Sequence, residues 1–334
     1  MRFTRRRWLS GLASSSLAAP FIVRNAGATG LTKVVYQTAW VPEPDEGGLY
    51  QALTAGIYTS HGLDVEVRAG GPQLNAVEQF LAGKADFITI DSFRAAAMAA
   101  QGLPGVAVAA FYQKPPHVIL SHPQAGNDTL ADLRGKPILI SDGDRQSFWM
   151  WLKAKYGYSD DQARPYTFNM APFLVDKNLS MQGFITSEPY LAHQAGVDPV
   201  VHVLADHGYL AYYDIILAAP RMIAERKDVV ARFVDATIKG WQSYLHGDPK
   251  PANDAIKTGN PGTTDDAIAY ARGAMKRYGL FDSDDVKRGG LGAMSDAKWN
   301  GIYRSLAAVG ALPKGVDIRK AYTLEFVNKR VGAA

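Results

Sequence analysis

The order of strand-like and helix-like segments limits this chain to a small set of folds. Short apolar or alternating runs, typical of strands, alternate with longer stretches whose apolar residues recur at helical spacing. The predicted segments are strand 33–40, helix 47–62, strand 63–68, helix 73–84, strand 85–90, helix 92–102 and strand 105–112. Strands joined through helices lie parallel, so this order predicts an α/β fold with a mostly parallel sheet covered on both faces.

The middle of the chain repeats this order in a second unit. The predicted segments there are strand 136–142, helix 147–157, strand 163–168, strand 181–188, helix 189–196 and strand 199–206. Two extended runs, 117–123 and 212–220, lead out of the first unit and back, and the chain from about 221 is helical. We therefore predict two α/β lobes joined by two crossover strands, which can act as a hinge about a cleft. The predicted lobe 1 is 29–119 with 216–334, and the predicted inserted lobe 2 is 120–215.

Residues 1–28 are predicted to be an export signal of the twin-arginine type. Three arginines at 5–7 precede a mildly apolar run at 8–23, and Ala-Gly-Ala follows at 26–28 as a cleavage site. An uncleaved signal anchor is the alternative interpretation. The chain has no cysteine, so neither disulfide bonds nor a lipid on an N-terminal Cys are expected. These features predict a soluble protein of the periplasm without a lipid anchor.

The positive charge of the chain is concentrated at its N-terminus. The formal net charge is +4, and five of the 36 basic residues lie within residues 1–28, which contain no acid. The remaining chain is close to neutral, so nothing predicts a nucleic-acid partner or binding to a membrane surface.

Motifs of common catalytic sites are absent from the sequence. No G-x-G-x-x-G follows a predicted strand, and neither a P-loop motif nor a G-x-S-x-G occurs. His117 and His122, like His202 and His207, are five residues apart, which suits neither one face of a strand nor an i,i+4 pair of ligands on a helix. We therefore predict no catalytic residue, no cofactor and no metal site. A pair of carboxylates that converges from distant positions stays open.

Candidate ligand-binding residues follow the predicted strands, because open α/β sheets bind ligands outside the carboxyl ends of their strands. Aromatic rings stack on flat rings, and carboxylates accept hydrogen bonds from amino groups or protonated ring nitrogens. This set of residues therefore suits a flat, amino-bearing heterocycle. The candidates are Trp40, Glu43, Asp45, Tyr50, Gly70, Gly71, Gln73, Asp91, Ser92, Tyr112, Arg145, Ser147, Trp149, Glu188, Tyr190 and Asp214.

The Gly70-Gly71 pair at the end of strand 63–68 has two interpretations. It can form a tight turn, or it can let the backbone come close to a held ligand, since glycine has no side chain to prevent that approach. With no phosphate-loop motif present, the prediction is a ligand that is held without reaction.

Two tryptophans are predicted to face each other across the cleft. Trp40 ends a strand in lobe 1, and Trp149 lies on the first helix of lobe 2. A flat ligand is expected to stack on at least one of them. Trp151, Trp241 and Trp299 are predicted to pack in the core.

Five stretches resemble the NMT1/THI5-like (SsuA/THI5-like) periplasmic solute-binding proteins of ABC transporters, which are related to the thiamine-pyrimidine synthases. The stretches are TAWVPEPDEGGLYQALTAGIYTSHGLDVEVRAGGPQLNAVEQFLAGKADF, QGFITSEPY, NPGTTDDAIAYA, GGLGAMSDAKW and AYTLEFVNKRV, and the resemblance covers about 30–330. It implies a type II periplasmic-binding-protein fold and a ligand such as a thiamine pyrimidine precursor. It also implies an ABC permease of the inner membrane as partner. We further predict a monomer.

The resemblance leaves other functions open. The related synthases carry a cofactor lysine and a consumed histidine in the segment that matches 86–98 here, and a cysteine-rich loop later. Ile90 and Arg94 stand at those two positions, and cysteine is absent. The chain therefore shares the expected fold of the synthases but lacks the lysine, histidine and cysteines that their reaction uses. A sensor module that presents its ligand to a signalling receptor, and a binding protein for a sulfonate, nitrate or riboflavin, are the further alternatives.

Overall fold

The strands of the computed structural model, which describes residues 22–23, 30–72 and 74–332, form two sheets. In chain order the strands are Ile22–Val23 (β1), Thr32–Gln37 (β2), Leu63–Arg68 (β3), Phe87–Ile90 (β4), Val106–Tyr112 (β5), His117–Ser121 (β6), Ile138–Ile140 (β7), Ala163–Pro165 (β8), Ser180–Phe184 (β9), Val200–Val203 (β10) and Tyr213–Ala218 (β11). The first sheet has the order β1-β3-β2-β4-β11-β5, and the second has the order β10-β6-β9-β7-β8. Lobe 1 surrounds the first sheet and lobe 2 surrounds the second.

Helices alternate with these strands and then fill the C-terminal part. In chain order the α-helices are Gly47–Thr54 (α1), Ile57–Ser60 (α2), Ala76–Leu81 (α3), Ser92–Ala100 (α4), Phe148–Tyr156 (α5), Ala171–Val175 (α6), Glu188–Gln194 (α7), Pro220–Glu225 (α8), Lys227–His246 (α9), Lys250–Gly259 (α10), Asp265–Arg277 (α11), Asp284–Gly289 (α12) and Asp296–Ala308 (α13). Local signals set several starts. The Thr264 side chain accepts a hydrogen bond from the backbone of α11, and Ser295 does the same for α13.

Most strands of each sheet run in one direction, as predicted, but both sheets are mixed, because β11 and β6 run against their neighbours. In the first sheet β2 pairs in parallel with β3 and β4, but β11 lies antiparallel between β4 and β5. In the second sheet β6 pairs antiparallel with β9 and β10, and β7 pairs in parallel with β8 and β9. The reason is the connection between lobes, since a strand that returns from the other lobe enters the sheet from the opposite end.

The two runs predicted as crossovers are themselves sheet strands. The run 117–123 contains β6, which pairs with the second sheet from His117 onward, and the run 212–220 contains β11 of the first sheet. The chain therefore changes sheet between Tyr112 and His117, and again between Val203 and Tyr213. The boundaries predicted after 119 and after 215 fall within β6 and β11.

The predicted export signal, residues 1–28, lies outside the described residues except for β1. The backbone of β1 pairs antiparallel with Val67 and Arg68 of β3. Among the described residues, no helix combines the length and the apolar character that crossing a bilayer requires.

Close packing of α1 against α9 fixes the turn that precedes α1. A side chain on Gly48 would overlap the Trp241 ring, and one on Gly240 would overlap the Gly48 carbonyl oxygen and lie 2.6 Å from the Ala52 Cβ. The two helix backbones therefore touch, which only glycine permits at these positions. The short 3₁₀ turn Pro44–Glu46 runs directly into α1, so this contact holds its acidic residues in place.

Candidate ligand-binding site

The two lobes meet where the 43–46 turn of lobe 1 faces the segment after β9 of lobe 2. The Thr186 hydroxyl donates a hydrogen bond to Asp45 Oδ1 at 2.8 Å, and the Tyr112 hydroxyl donates to the same oxygen at 3.1 Å. Beside them, the ring of Trp40 lies 4.4 Å from the ring of Phe168, between centroids. The Thr186–Asp45 hydrogen bond and the Trp40–Phe168 contact each join residues of different lobes. The lobes are therefore closed upon each other here.

Five carboxylates from both lobes gather at this contact, and we call them the carboxylate cluster. They are Glu43, Asp45, Glu46, Glu188 and Asp214. Within the described part of the chain none of them forms an ion pair with Lys, Arg or His. Buried carboxylates are normally paired with a cation, so the cluster is a strong departure from an ordinary interior.

Burial raises the pKa of every member of the cluster. It raises the pKa of Glu43 to about 8, with further contributions from the charges of Asp45 and Glu188. It raises the pKa of Glu188 to about 7. Burial also raises the pKa of Asp45, and it raises the pKa of Glu46 and Asp214 well above their ordinary values. The charged form of each carboxyl group is disfavoured because water is excluded and because its neighbours are also acids.

Hydrogen bonds orient Glu188 at the first turn of α7. Its Oε2 accepts from the backbone N–H of Phe184 at 2.7 Å, and its Oε1 accepts from the Tyr166 hydroxyl at 3.4 Å. Pro189 follows in the first turn, where the missing N–H costs nothing. Gly183 makes room, because a Cβ there would lie 2.7 Å from the Glu188 Cβ. The carboxylate is thereby held at the edge of lobe 2 that faces lobe 1.

Glu46 is held by only one of its two oxygens. Its Oε1 accepts from the Thr89 hydroxyl at 3.1 Å, and Thr89 also lies 2.9 Å from the Tyr36 hydroxyl. Its Oε2 and the hydroxyl of Tyr50 are buried without a hydrogen-bond partner among the described residues. Asp214, at the start of β11, has a left-handed backbone with φ of 48°, a conformation that costs about 1 kcal/mol or more outside glycine.

Aromatic rings line the site between the carboxylates. Phe168 packs on Tyr166 with centroids 5.2 Å apart, extending the contact of Phe168 with Trp40. On the other side, Tyr213 lies 6.1 Å from Tyr112 and 5.3 Å from Phe184, between ring centroids. The rings come from both lobes and can enclose a flat ligand.

A second polar contact, which we call the Arg94 bridge, joins the lobes beyond Tyr213. Asp91 accepts a hydrogen bond from the backbone of α4 at 2.8 Å and pairs with the Arg94 side chain. The Arg94 guanidinium also reaches lobe 2, where a Cβ on Gly143 would lie 2.6 Å from it. The charges of Asp91 and then Asp144 raise the pKa of Arg94, so this side chain is a fixed cation between the lobes.

We expect Arg94→Ala to shift the lobes toward an open arrangement. The Arg94 side chain is partly exposed, so its loss should cost the closed form about 1 kcal/mol, roughly a fivefold change in the closed-to-open ratio. Small-angle X-ray scattering should show a larger radius of gyration. Arg221→Ala is the matched control, because Arg221 pairs with Asp86 within lobe 1 at similar exposure. Equal radii for both variants would contradict a bridging role.

The predicted pairing of Trp40 with Trp149 across the cleft is wrong. Trp149 is fully buried in the core of lobe 2, where its ring packs on Tyr158 and its indole N–H donates to Asp160 Oδ1 at 2.9 Å. Phe168 takes the place opposite Trp40 that the sequence assigned to Trp149. Sequence reasoning missed Phe168 because nothing marks a single exposed phenylalanine after a short strand.

Gly70 of the Gly70-Gly71 pair packs directly against the protein's own backbone. A Cβ on Gly70 would lie 2.5 to 2.6 Å from backbone atoms of Thr38 and Ala39, so Gly70 allows the loop after β2 to pass close to β3. Gly71 has a φ of 157° and its nearest neighbour is Val41. Gly70 therefore has a packing role within lobe 1, and the approach of a ligand to the Gly70-Gly71 pair stays a prediction. Gln73 lies outside the described residues.

Four further candidates serve contacts within the protein. Ser92 is fully buried, and its hydroxyl accepts from the backbone N–H of Tyr212 at 3.0 Å. Arg145 Nε lies 3.7 Å from Asp142 Oδ1, and the Arg145 guanidinium donates a hydrogen bond to the backbone carbonyl of Ala163. Ser147 lies against Asp144 within lobe 2. Tyr190 packs on Tyr270 of lobe 1 with centroids 5.3 Å apart. None of these contacts brings the four residues to the carboxylate cluster.

Sequence reasoning also missed residues that the structure brings to the site, namely Glu46, Tyr166, Phe168 and Thr186. Glu46 ends an acidic stretch that looks solvated in the sequence. No group of three or more His, Asp or Glu residues in the described part is placed to hold a metal ion.

Two mixed α/β lobes, joined by two connections and closed over a lined interface, define a protein of the periplasmic-binding-protein class. Solved structures of that class confirm the predicted type II fold: the aliphatic sulphonate binding protein SsuA of Escherichia coli superposes with a TM-score of 0.66 at 14% identity, over 88% of this chain and 92% of that one. The chain belongs to the NMT1/THI5-like family, whose sequence profile matches residues 43–252.

Relatives of this chain include both a binding protein and an enzyme. The riboflavin-binding protein RibY of Chloroflexus aurantiacus is 25% identical over 323 residues, covering 94% of this chain and 91% of RibY. The desulfurization enzyme DszB superposes with a TM-score of 0.57 at 14% identity, over 88% of this chain and 97% of DszB. The fold alone therefore does not separate binding from catalysis.

Proposed function

We propose that this chain is the solute-binding component of an ABC importer and binds a small, flat, amino-bearing heteroaromatic ligand. The observation that carries the proposal is the meeting of aromatic rings and carboxylates from both lobes at one closed contact, around Trp40, Asp45 and Glu188. Closure over the ligand would present one defined surface to a permease. We further propose export to the periplasm as a monomer without a lipid anchor.

The ligand class follows from the chemistry of the lining. A sulfonate or nitrate would be held by arginines or by helix N-termini, and the carboxylate cluster offers acceptors instead of such donors. Amino groups and protonated ring nitrogens are the natural partners of such oxygens. A thiamine pyrimidine precursor has this chemistry, and we propose it first. Riboflavin is the second candidate, favoured by the similarity to RibY over most of both chains.

An enzymatic function finds less support in the chain's own residues. Cysteine is absent, and Arg94, at the position of the synthase histidine, is engaged in the Arg94 bridge. Ile90, at the position of the synthase lysine, is a buried residue of β4. Neither position offers a nucleophile or a base, so we propose binding without reaction.

The test is a thermal-shift screen with 4-amino-5-hydroxymethyl-2-methylpyrimidine, riboflavin and an alkanesulfonate. We expect the aminopyrimidine to raise the melting temperature, because ligand at 100 times its Kd stabilises the folded state by about 2.7 kcal/mol. Glu188→Gln should then weaken binding by roughly 1.5–3 kcal/mol, the range for hydrogen bonds to charged groups. That range corresponds to roughly 10- to 150-fold in Kd.

Glu78→Gln is the control for that variant, since Glu78 is an exposed acid of α3. Stabilisation by the alkanesulfonate alone would contradict the proposed ligand class. Unchanged affinity in Glu188→Gln would remove Glu188 from the site.

A further inference from the structure

We infer that the ligand carries a positive charge, as an amidinium or a protonated amino-heterocycle, and that Glu46 and Asp214 receive it. This inference rests on the proposed function, because it specifies the charge of the same ligand and its position in the same site. It concerns the deep part of lobe 1, behind the contact between Asp45 and Thr186.

Unpartnered oxygens mark this position. Glu46 and Asp214 are 7% and 6% exposed. Among the residues that the structure describes, Glu46 Oε2 is buried with no hydrogen-bond partner, and so is the hydroxyl of Tyr50, whose pKa the Glu46 charge helps to raise. The Asp214 carboxylate likewise has no hydrogen bond or ion pair in the part of the chain that the structure describes. A buried acceptor without a partner costs free energy, so a donor supplied by a ligand would stabilise these oxygens.

The titratable groups around the pair, within the described part of the chain, are acids and phenols, and no Lys, Arg or His pairs with either carboxylate. The charge of Asp214 raises the pKa of Glu46, and the charges of both carboxylates raise the pKa of Tyr36. The other titratable groups that face the pair are Tyr36, Glu43, Asp45, Tyr50, Tyr58 and Tyr112. The missing counter-charge therefore has to come from outside the chain or from bound protons.

The lining favours an organic cation over a metal ion. Aromatic side chains surround the two carboxylates, and tyrosine rings attract cations through their faces. Calcium and magnesium instead require a shell composed of oxygen ligands. An amidinium is planar and presents parallel N–H donors that match a carboxylate in two hydrogen bonds. Its flat shape also agrees with the rings of Trp40 and Phe168 at the contact between the lobes.

The test compares benzamidine, a flat aromatic cation, with benzamide, its neutral analogue, by thermal shift and calorimetry on the full chain. We expect benzamidine to stabilise the protein and benzamide to have no effect at equal concentration. Glu46→Gln and Asp214→Asn should each weaken benzamidine binding at least tenfold. Glu225→Gln, which changes an exposed acid of α8, should leave it unchanged.

Proton release provides a second readout that a structural role would not produce. A bound cation favours the ionised carboxylates, so binding should expel protons from the cluster near pH 7. Calorimetry in two buffers of different ionisation heat measures the number of protons released on binding. Both variants should release fewer protons than the parent chain, and their circular dichroism spectra should show that they are folded.

Four results would overturn the inference: tight binding of benzamide, no binding of benzamidine, unchanged affinity in Glu46→Gln, or equal stabilisation by magnesium chloride. Failure here is distinguishable from failure of the proposed function. If riboflavin binds and Glu188→Gln weakens that binding, the proposed function stands and the cationic ligand is rejected.

Discussion

Gly240→Ala should lower the free energy of unfolding by about 3 kcal/mol, at the upper end of the usual cost of overpacking a core. The added methyl group would meet the Gly48 carbonyl oxygen and the Ala52 Cβ, and neither is the end of a flexible side chain. The helices α1 and α9 must separate to accept it. Urea unfolding followed by circular dichroism measures the change.

Gly273→Ala is the matched control for this prediction. Gly273 also lies within a helix, α11, but a Cβ there would have no neighbour within 4 Å. It should stabilise the protein by about 0.5–1 kcal/mol, the ordinary difference between alanine and glycine in a helix. If Gly240→Ala left the free energy of unfolding unchanged, α1 and α9 would have room for a methyl group between them.

The empty protein should lose roughly 6 kcal/mol of stability between pH 5 and pH 9 because of Glu43 and Glu188 in its carboxylate cluster. Glu43 and Glu188 have pKa values of about 8 and about 7 in the folded chain, above the ordinary value of 4.5. As the pH rises above 4.5 the unfolded chain ionises while the folded chain holds its protons. The folded state is therefore penalised progressively until the pH passes 8, and is unaffected below 4.5.

A chain with both Glu43→Gln and Glu188→Gln should show much less of this dependence. Burial lowers the pKa of His117, which destabilises the fold below its ordinary value of 6.5, but His117 is common to both proteins and cancels in their difference. Urea unfolding at pH 5, 7 and 9 provides the comparison. Parallel curves for the two proteins would show that neither carboxyl group titrates abnormally.

Elements with strong local patterns were predictable from the sequence. The alternating run 63–68 is β3 with the predicted limits, and the apolar run predicted as strand 105–112 is β5, one residue shorter. The direction of β6 and β11 was not predictable, because it depends on which sheet accepts each strand. The local hydrophobic pattern indicates that a segment is a strand and which face is buried, but it does not indicate which strand lies beside it.

The site was partly predictable for the same reason. Glu43, Asp45, Glu188 and Asp214 follow or begin strands, so the rule about strand ends places them near one another. Glu46 was missed because its burial depends on α9, which lies some 180 residues later in the chain and closes over α1. Trp149 was misplaced because its partner Asp160 follows a turn whose path the sequence does not specify.

The position of β11 imposes an order on folding. All five strands of lobe 2 precede β11 in the chain, so that lobe can complete its sheet while synthesis of the remainder continues. The first sheet cannot do so, because β4 and β5 have no strand between them until β11 has been made. The apolar face of α1 also stays open until α9 follows. Because domains generally fold as units, the inserted lobe should be native first, and a nascent chain ending near residue 212 should hold one protected lobe and one exposed, incomplete sheet.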